Sequence, residues 1–111
     1  MIKGYIYFIT NYTRTVLYIG VTGNSRDRIL RHKVGEGSKF ASEFKCKDLL
    51  YYEDFPDMTQ AIGREKQLKN WHREWKLNLI KELNPNLDDL AFDWFDEETL
   101  ESAKLGFTSR D

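Results

Sequence analysis

The fold of this chain is decided by two segments, GYIYFIT at residues 4–10 and TVLYIGV at residues 15–21. Both are rich in β-branched and aromatic residues, and a polar stretch at residues 11–14 separates them, which is typical of two strands joined in a hairpin. Apolar or aromatic side chains occupy both faces of each strand. We therefore expect the hairpin to lie inside a sheet that is covered on both sides.

The segments after the hairpin predict a helix and a third strand. Asn24 and Ser25 can cap a short helix over residues 26–33, before the glycines that follow it. The sequence LLYYEDF at residues 49–55 has the composition of a strand. Between them, residues 38–47 are ambiguous between a loop and a helical turn within a loop.

Two longer helices and an acidic segment complete the chain. Asp57 and Gln60 form a capping-box pattern that begins one helix, and apolar residues at helical spacing predict another over residues 75–83, before Pro85. Residues 87–105 are typical of two short, acidic, amphipathic helices whose aromatic side chains dock on the body. The order of elements predicts an α+β fold, with a three-stranded antiparallel sheet flanked by helices.

The charges are distributed unevenly along the chain. Its 111 residues include 17 basic and 18 acidic side chains, a net charge of −1. Residues 1–81 carry 15 basic and 9 acidic side chains (net +6), whereas residues 82–111 carry 2 and 9 (net −7). We therefore expect a basic domain over residues 1–86 with an acidic helical extension over 87–111 packed on it, and the basic part favours an anionic partner.

The composition excludes several classes of protein. Hydrophobic residues make up 41%, charged residues 32% and aromatic residues 14%, which argues against fibrous, low-complexity and disordered chains. No apolar run is long enough for a membrane span or a signal peptide, so we expect a cytoplasmic protein without a membrane partner. The single cysteine, Cys46, excludes an internal disulfide, and we expect it to fill the core.

Glu65 interrupts the apolar pattern of its helix. It occupies an inward position between Ile62 and Leu68, where a carboxylate is costly unless it is paired, hydrogen-bonded or bound to a metal. Two interpretations stay open. Glu65 is either a functional carboxylate or a boundary residue that pairs with Lys69 one turn later.

The first predicted helix carries a cluster of basic side chains. Arg28 and His32 lie one turn apart, with Arg31 and Lys33 close to them. Such a cluster suits an anionic ligand such as phosphate, because arginine offers a planar fork of donors and histidine a hydrogen bond or a proton. A solvated basic helix face is the alternative interpretation.

Aromatic residues and a glycine stand out on the hairpin. Tyr5 and Tyr7 share one face of the first strand, and Tyr18 and Gly20 share one face of the second. Tyrosines on strands usually pack with the hydroxyl group bonded at an edge. A glycine within a strand usually marks a bulge or the close approach of another group.

Taken together, these residues resemble the GIY-YIG nuclease family, and most closely its small single-domain branch. That family has a three-stranded antiparallel sheet flanked by helices, and it includes DNA repair and homing endonucleases that hydrolyse DNA with one divalent metal ion. The resemblance extends over about residues 3–84 and rests on these residues: Tyr5, Ile6, Tyr7, Tyr18, Ile19, Gly20, Arg28, His32, Glu65 and Asn84.

The resemblance implies a role for each position. Glu65 would bind one Mg²⁺ or Mn²⁺ ion, and Arg28 would hold the scissile phosphate. Tyr7 or Tyr18 would position or deprotonate the attacking water. Supporting roles would fall to Tyr5, Gly20, His32 and Asn84. Contacts with nucleic acid would come from Arg26, Arg31, Lys33 and Arg64.

Three positions depart from the family pattern. Tyr5 stands at the first position of the GIY element, although Gly4 lies beside it. Val21 and Asp27 stand where many members carry basic or polar residues. These two changes remove positive charge from the place where the phosphate would lie, which favours a reduced or narrow activity.

The resemblance therefore implies a metal-dependent endonuclease, or a structure-selective nuclease, that acts on DNA or RNA. We expect a monomer or a weak homodimer. Two other functions stay open. One is a nucleic-acid-binding module with weak or no catalysis, and the other is a protein-interaction domain that kept the fold.

Overall fold

A computed structural model describes residues 3–108 of the chain. The helices and strands follow the predicted order, and their bounds are β1 Gly4–Thr10, β2 Leu17–Thr22, α1 Ser25–Lys33, α2 Lys39–Glu43, β3 Asp48–Phe55, α3 Met58–Lys69, α4 Arg73–Leu83 and α5 Glu97–Thr108. No helix within these residues is both long enough and apolar enough to cross a membrane.

The three strands form one antiparallel sheet in the order β2-β1-β3. The central strand β1 pairs with β2 as a hairpin and with β3 on its other side, and the register places Tyr7 opposite both Gly20 and Tyr52. An irregularity between Phe8 and Ile9 shifts the pairing with β3. The α+β fold with a three-stranded antiparallel sheet is confirmed.

Both faces of the sheet are covered, as predicted. On the first face, β1 and β2 pack against α3 and α4 through a cluster that contains Ile6, Phe8, Ile19, Ala61, Leu68 and Ile80. On the second face, a separate cluster contains Tyr7, Ile9, Ile29, Ala41, Cys46, Leu49 and Ala91. Successive side chains of a strand point to opposite faces, so Tyr7 and Phe8 belong to different clusters. Cys46 is buried in the core, as expected.

Side-chain caps fix where three of the helices begin. The Asn24 side chain accepts a hydrogen bond from the backbone N–H of Asp27 and begins α1. Asp57 does the same for Gln60 at α3, as the capping-box pattern predicts. The ambiguous stretch at residues 38–47 contains the short helix α2, which Ser38 caps.

The acidic extension differs from its prediction. Residues 84–96 form turns, and one helix, α5, replaces the two expected. The physical reason is that Asp89 and Leu90 bond to strand β3: the Asp89 carboxylate accepts from Leu49 N–H, and Leu90 N–H donates to the Leu49 carbonyl. Of the aromatic side chains expected to dock, Trp94 and Phe95 pack against the cluster on the second face, whereas Phe92 is 78% exposed.

Candidate active site

The centre of the candidate site is a buried pair formed by Tyr7 and His32. Tyr7 points from β1 into the second face of the sheet, where α1 packs and carries His32. The Tyr7 hydroxyl and His32 Nε2 lie 2.8 Å apart in a hydrogen bond. The exposed fractions of the two residues are 1% and 2%. Burying polar groups this deep is costly unless they are hydrogen-bonded, and here the two groups bond to each other.

Burial controls the protonation of this pair. It raises the pKa of Tyr7 to about 12, an effect to which Tyr18 adds and which the positive charge of Arg28 opposes. Burial also lowers the pKa of His32 to about 4, and there the Arg28 charge acts in the same direction. Both side chains are therefore neutral at neutral pH.

Tyr18 and Gly20 on β2 complete this side of the site. The ring of Tyr18 lies 6.5 Å from that of Tyr7 and 5.8 Å from that of His32, measured between centroids. A Cβ atom on Gly20 would lie 2.2 Å from the Tyr7 hydroxyl oxygen. Gly20 thus marks a close approach, as the sequence predicts, and it is the approach of the Tyr7 side chain.

Glu65 lies apart from this group of contacts. It shares a helix face with Ala61 and Leu68, which are both fully buried, and its own side chain is 12% exposed. Its carboxylate pairs with Lys69, with 3.3 Å between the charged atoms, so the pairing expected as one alternative is present. Within residues 3–108, no hydrogen bond or ion pair joins Glu65 to Tyr7, Tyr18 or Arg28. Helix α3 covers the first face of the sheet, whereas Tyr7 and Tyr18 belong to the second.

A single carboxylate such as that of Glu65 is nevertheless suited to a divalent cation that keeps most of its water ligands. The described residues contain no group of three or more histidine, cysteine, aspartate or glutamate side chains that could hold a metal ion. An ion at Glu65 would therefore keep most of its water. Mg²⁺ gives up water reluctantly and is often held by one or two carboxylates, so a single carboxylate agrees with that preference.

Asn84 and Tyr5, the other predicted supporting residues, lie outside the Tyr7–His32 contacts. Asn84 is 5% exposed and ends α4. Its amide group donates to the carbonyl oxygens of Leu50 and Asp88, and its oxygen accepts from Asp88 N–H. These bonds tie α4 to β3 and to the turn that follows. Tyr5 is half-buried at the start of β1, with the Lys3 ammonium 5.9 Å from its ring centroid.

The four side chains predicted to contact nucleic acid all have protein partners. The extension engages two of them: Arg26 donates to the Trp94 carbonyl and lies over the Phe95 ring, while Lys33 pairs with Asp89. The other two form ion pairs, Arg31 with Asp27 and Arg64 with Glu53. Their contact with nucleic acid stays a prediction.

The structure adds three residues that the sequence did not indicate. Phe40 of α2 stacks on Tyr18 with 5.8 Å between ring centroids and 23° between ring planes, and Phe44 lies 4.7 Å beyond Phe40. A Cβ atom on Gly37 would lie 2.1 Å from His32 Nδ1, so glycine is needed there. The available signals were two aromatic residues four apart in the ambiguous stretch and two glycines, Gly35 and Gly37, just before it.

Comparison with known proteins matches these features to a family. A sequence model described as the GIY-YIG catalytic domain matches residues 3–78, which contain Tyr7, Tyr18, Arg28, His32 and Glu65. The chain belongs to the GIY-YIG nuclease family. The match ends before Asn84, so both Asn84 and the acidic extension lie beyond the matched domain.

Several curated relatives of this chain are UPF0213 proteins. A UPF0213 protein of Staphylococcus haemolyticus is 34% identical over 82 residues, which cover 74% of this chain and 99% of the relative. A UPF0213 protein of Pediococcus pentosaceus is 29% identical over 90 residues, covering 81% and 95%. A third, from Staphylococcus saprophyticus, is 34% identical over 82 residues, covering 74% and 99%. No solved structure matches the chain.

Proposed function

We propose that this GIY-YIG protein is a metal-dependent endonuclease that hydrolyses phosphodiester bonds, with branched or flapped DNA as substrate. The observation that carries the proposal is the environment of Arg28. Each other arginine of residues 3–108 binds a carboxylate or a backbone carbonyl, whereas Arg28 has neither. It is half-buried and lies where its charge acts on both Tyr7 and His32.

A guanidinium without an anionic partner, beside two buried polar side chains, is suited to bind a phosphate. Its planar fork matches two phosphate oxygens, and its permanent charge offsets the negative charge that develops during hydrolysis. The rings of Tyr7 and Tyr18 lie on the second face of the sheet, where α1, the helix that contains Arg28, also packs. Tyr7 is fully buried and Tyr18 is half-buried. This arrangement supports phosphate binding by Arg28 and orientation of water by a tyrosine.

The protonation states limit what Tyr7 can do. With a pKa of about 12, Tyr7 is protonated at neutral pH, and it can act as a base toward water only when its phenolate is stabilised. Arg28 is the group that favours the phenolate, and His32 stays neutral and available for a hydrogen bond. Glu65 would hold the divalent ion. When bound, Mg²⁺ or Mn²⁺ would supply further neutralisation of charge on the phosphate.

Cleavage of branched, flapped and single-stranded DNA with Mg²⁺ or Mn²⁺ tests the proposal. Glu65→Gln and Arg28→Gln should each lower the cleavage rate by about 100-fold or more. Glu74→Gln, an exposed change on α4, is the matched control and should cut at the wild-type rate. If purified protein cuts none of these substrates, or if Glu65→Gln cuts as fast as wild type, the proposal fails.

A nucleic-acid-binding module with weak or no catalysis is the second candidate. The ion pair between Glu65 and Lys69 favours it, because that carboxylate already has a cationic partner. Within residues 3–108, Glu65 also forms no hydrogen bond or ion pair with Tyr7, Tyr18 or Arg28. The second candidate predicts binding that weakens with salt, survives Glu65→Ala and leaves the DNA uncut.

Three accompanying features are part of the proposal. The catalytic unit is residues 1–86 and the acidic extension is 87–111, in line with a family match that ends at residue 78. The protein acts in the cytoplasm as a monomer or weak homodimer. Its substrate is recognised by shape, since phosphate contacts position a protein on DNA without reading its sequence.

A further inference from the structure

An aromatic row, formed by Tyr18, Phe40 and Phe44, leads from the candidate active site to the surface. Tyr18 contacts the buried Tyr7–His32 pair at one end, Phe40 stacks on Tyr18, and Phe44 lies against Phe40 at the outer end. Phe40 is 43% exposed and Phe44 is 44% exposed, whereas Phe8 on the neighbouring strand is 1% exposed. The outer two rings therefore present large apolar surfaces to solvent.

Core packing does not account for the outer two rings. Neither Phe40 nor Phe44 belongs to the two core clusters or to the partly buried residues packed against them. Phe40 covers Tyr18, but the ring contact recorded for Phe44 is with Phe40. Exposed aromatic surface of this kind, next to a functional site, marks a place where a ligand packs.

The rings are held in place by the body of the protein. Helix α2 begins at Ser38, whose side chain accepts from Ala41 N–H, and Ala41 is itself fully buried. Cys46, also buried, donates its backbone N–H to the Ala41 carbonyl. Phe40 lies within α2, and Phe44 directly follows the helix, one turn later, with the two rings in contact. The anchors at Ala41 and Cys46 hold this segment in place. A fixed aromatic surface loses little conformational entropy when a ligand stacks on it.

The charges around the aromatic row suit a nucleic-acid strand. Lys39, Lys45 and Lys47 are exposed, and their ammonium groups have no ion-pair partner among residues 3–108. Two exposed carboxylates, Glu36 and Glu43, lie in the same segment, so the net charge of residues 36–47 is +1. Single-strand binding sites combine a positively charged path with aromatic rings on which bases stack.

We propose that Phe40 and Phe44 form a stacking platform for an unpaired base of a DNA strand whose scissile phosphate lies at Arg28. This inference rests on the proposed nuclease function and names the part of the substrate that the site selects. Within a duplex each base is already stacked on both faces, so it cannot use the platform. Substrates with an unpaired nucleotide beside the cleaved bond are therefore preferred.

The test is binding of single-stranded DNA that carries one 2-aminopurine, in buffer with EDTA so that no metal-dependent cleavage occurs. Wild-type protein should quench the probe by stacking and should bind it more tightly than a duplex of the same length. Phe40→Leu and Phe44→Leu keep apolar bulk but lose the aromatic face, so each should bind about 5- to 20-fold more weakly and quench less. Phe44→Trp should retain both properties, which keeps the test valid if a leucine variant fails to fold.

Phe92→Leu is the matched control, because Phe92 is 78% exposed and has no contact with the aromatic row. It should bind like wild type. The platform is refuted if Phe40→Leu and Phe44→Leu bind and quench like wild type, or if duplex DNA binds as tightly as the single strand. It is also refuted if Phe44→Leu only converts a dimer to a monomer in sedimentation, with DNA binding unchanged.

The outcomes separate this inference from the nuclease proposal. If wild-type protein cuts flapped DNA while the leucine variants bind and cut equally well, the platform is wrong and the nuclease stands. If wild-type protein cuts no DNA while the leucine variants lose binding and quenching, the nuclease proposal is wrong and the platform stands.

Discussion

Replacing Gly20 with alanine tests whether Tyr7 is held where the structure places it. A Cβ atom on Gly20 would lie 2.2 Å from the Tyr7 hydroxyl oxygen and 2.3 Å from Cζ. Cβ atoms do not approach other heavy atoms so closely, so the ring must move. It is 1% exposed and bonded to His32, and it has little room to move without losing that hydrogen bond.

The expected cost follows from three terms. Overpacking a core costs about 1–3 kcal/mol, and losing the hydrogen bond between Tyr7 and His32 costs about 0.5–1.5 kcal/mol. Replacing glycine restricts the unfolded chain, which offsets about 0.4–1 kcal/mol. Gly20→Ala should therefore lower the free energy of unfolding by about 2 kcal/mol, and Tm by about 5–10 °C.

Thermal unfolding followed by circular dichroism measures this change, and Gly63→Ala is the matched control. Gly63 lies within α3, and a Cβ atom there would meet nothing within 4 Å. That variant should gain about 0.5–1 kcal/mol from helix propensity. Adding Tyr7→Phe should not rescue Gly20→Ala, because Cζ remains in the way. The reasoning is refuted if Gly20→Ala melts at the wild-type temperature, or if the double variant recovers it.

Three further predictions concern other buried polar groups. His32 stays neutral in the fold down to a pKa of about 4 but takes up a proton near pH 6.5 when unfolded. The stabilising contribution of His32 is therefore present above pH 6.5 and is lost as the pH falls toward 4. In urea unfolding, the free energy of unfolding of the wild type should fall by about 2–3 kcal/mol more than that of His32→Gln between these pH values. Asn84→Ala removes three hydrogen bonds and should lower the free energy of unfolding by about 2–3 kcal/mol in the same assay. A decrease below about 0.5 kcal/mol would contradict a structural role. Asp89→Asn leaves the mostly buried Lys33 ammonium without its nearest carboxylate and should lower Tm by several degrees, unlike the exposed control Asp93→Asn.

Local sequence patterns predicted most of the fold. The hairpin, the third strand and the caps at Asn24 and Asp57 were all found at the expected positions. These features depend on residue type and spacing within a few positions, so they can be recognised without the tertiary structure. The extension was less predictable, because the Asp89 carboxylate accepts from Leu49 N–H, and the whole chain must fold to bring these two residues together.

The candidate site was predicted as a set of residues but not as a set of contacts. The spacing of Tyr7, Tyr18, Arg28 and Glu65 was enough to indicate the family, which the match over residues 3–78 shows. Their roles as catalytic residues stay predictions. The sequence offered the pair of Glu65 with Lys69 only as one of two interpretations. It could not indicate that the extension would engage Arg26, because the fold selects that partner by packing.

The sequence by itself determined that a sheet with two apolar faces would form, and that its strands would carry tyrosines and a glycine at set positions. Only the tertiary structure decided what those positions do. Pairing of β1 with β2 places Gly20 opposite Tyr7, and packing of α1 on the second face buries His32 against the same hydroxyl group. The physical reason is that residue spacing fixes which side chains share a face, whereas the pKa values of Tyr7 and His32 depend on burial by elements that are distant in the chain.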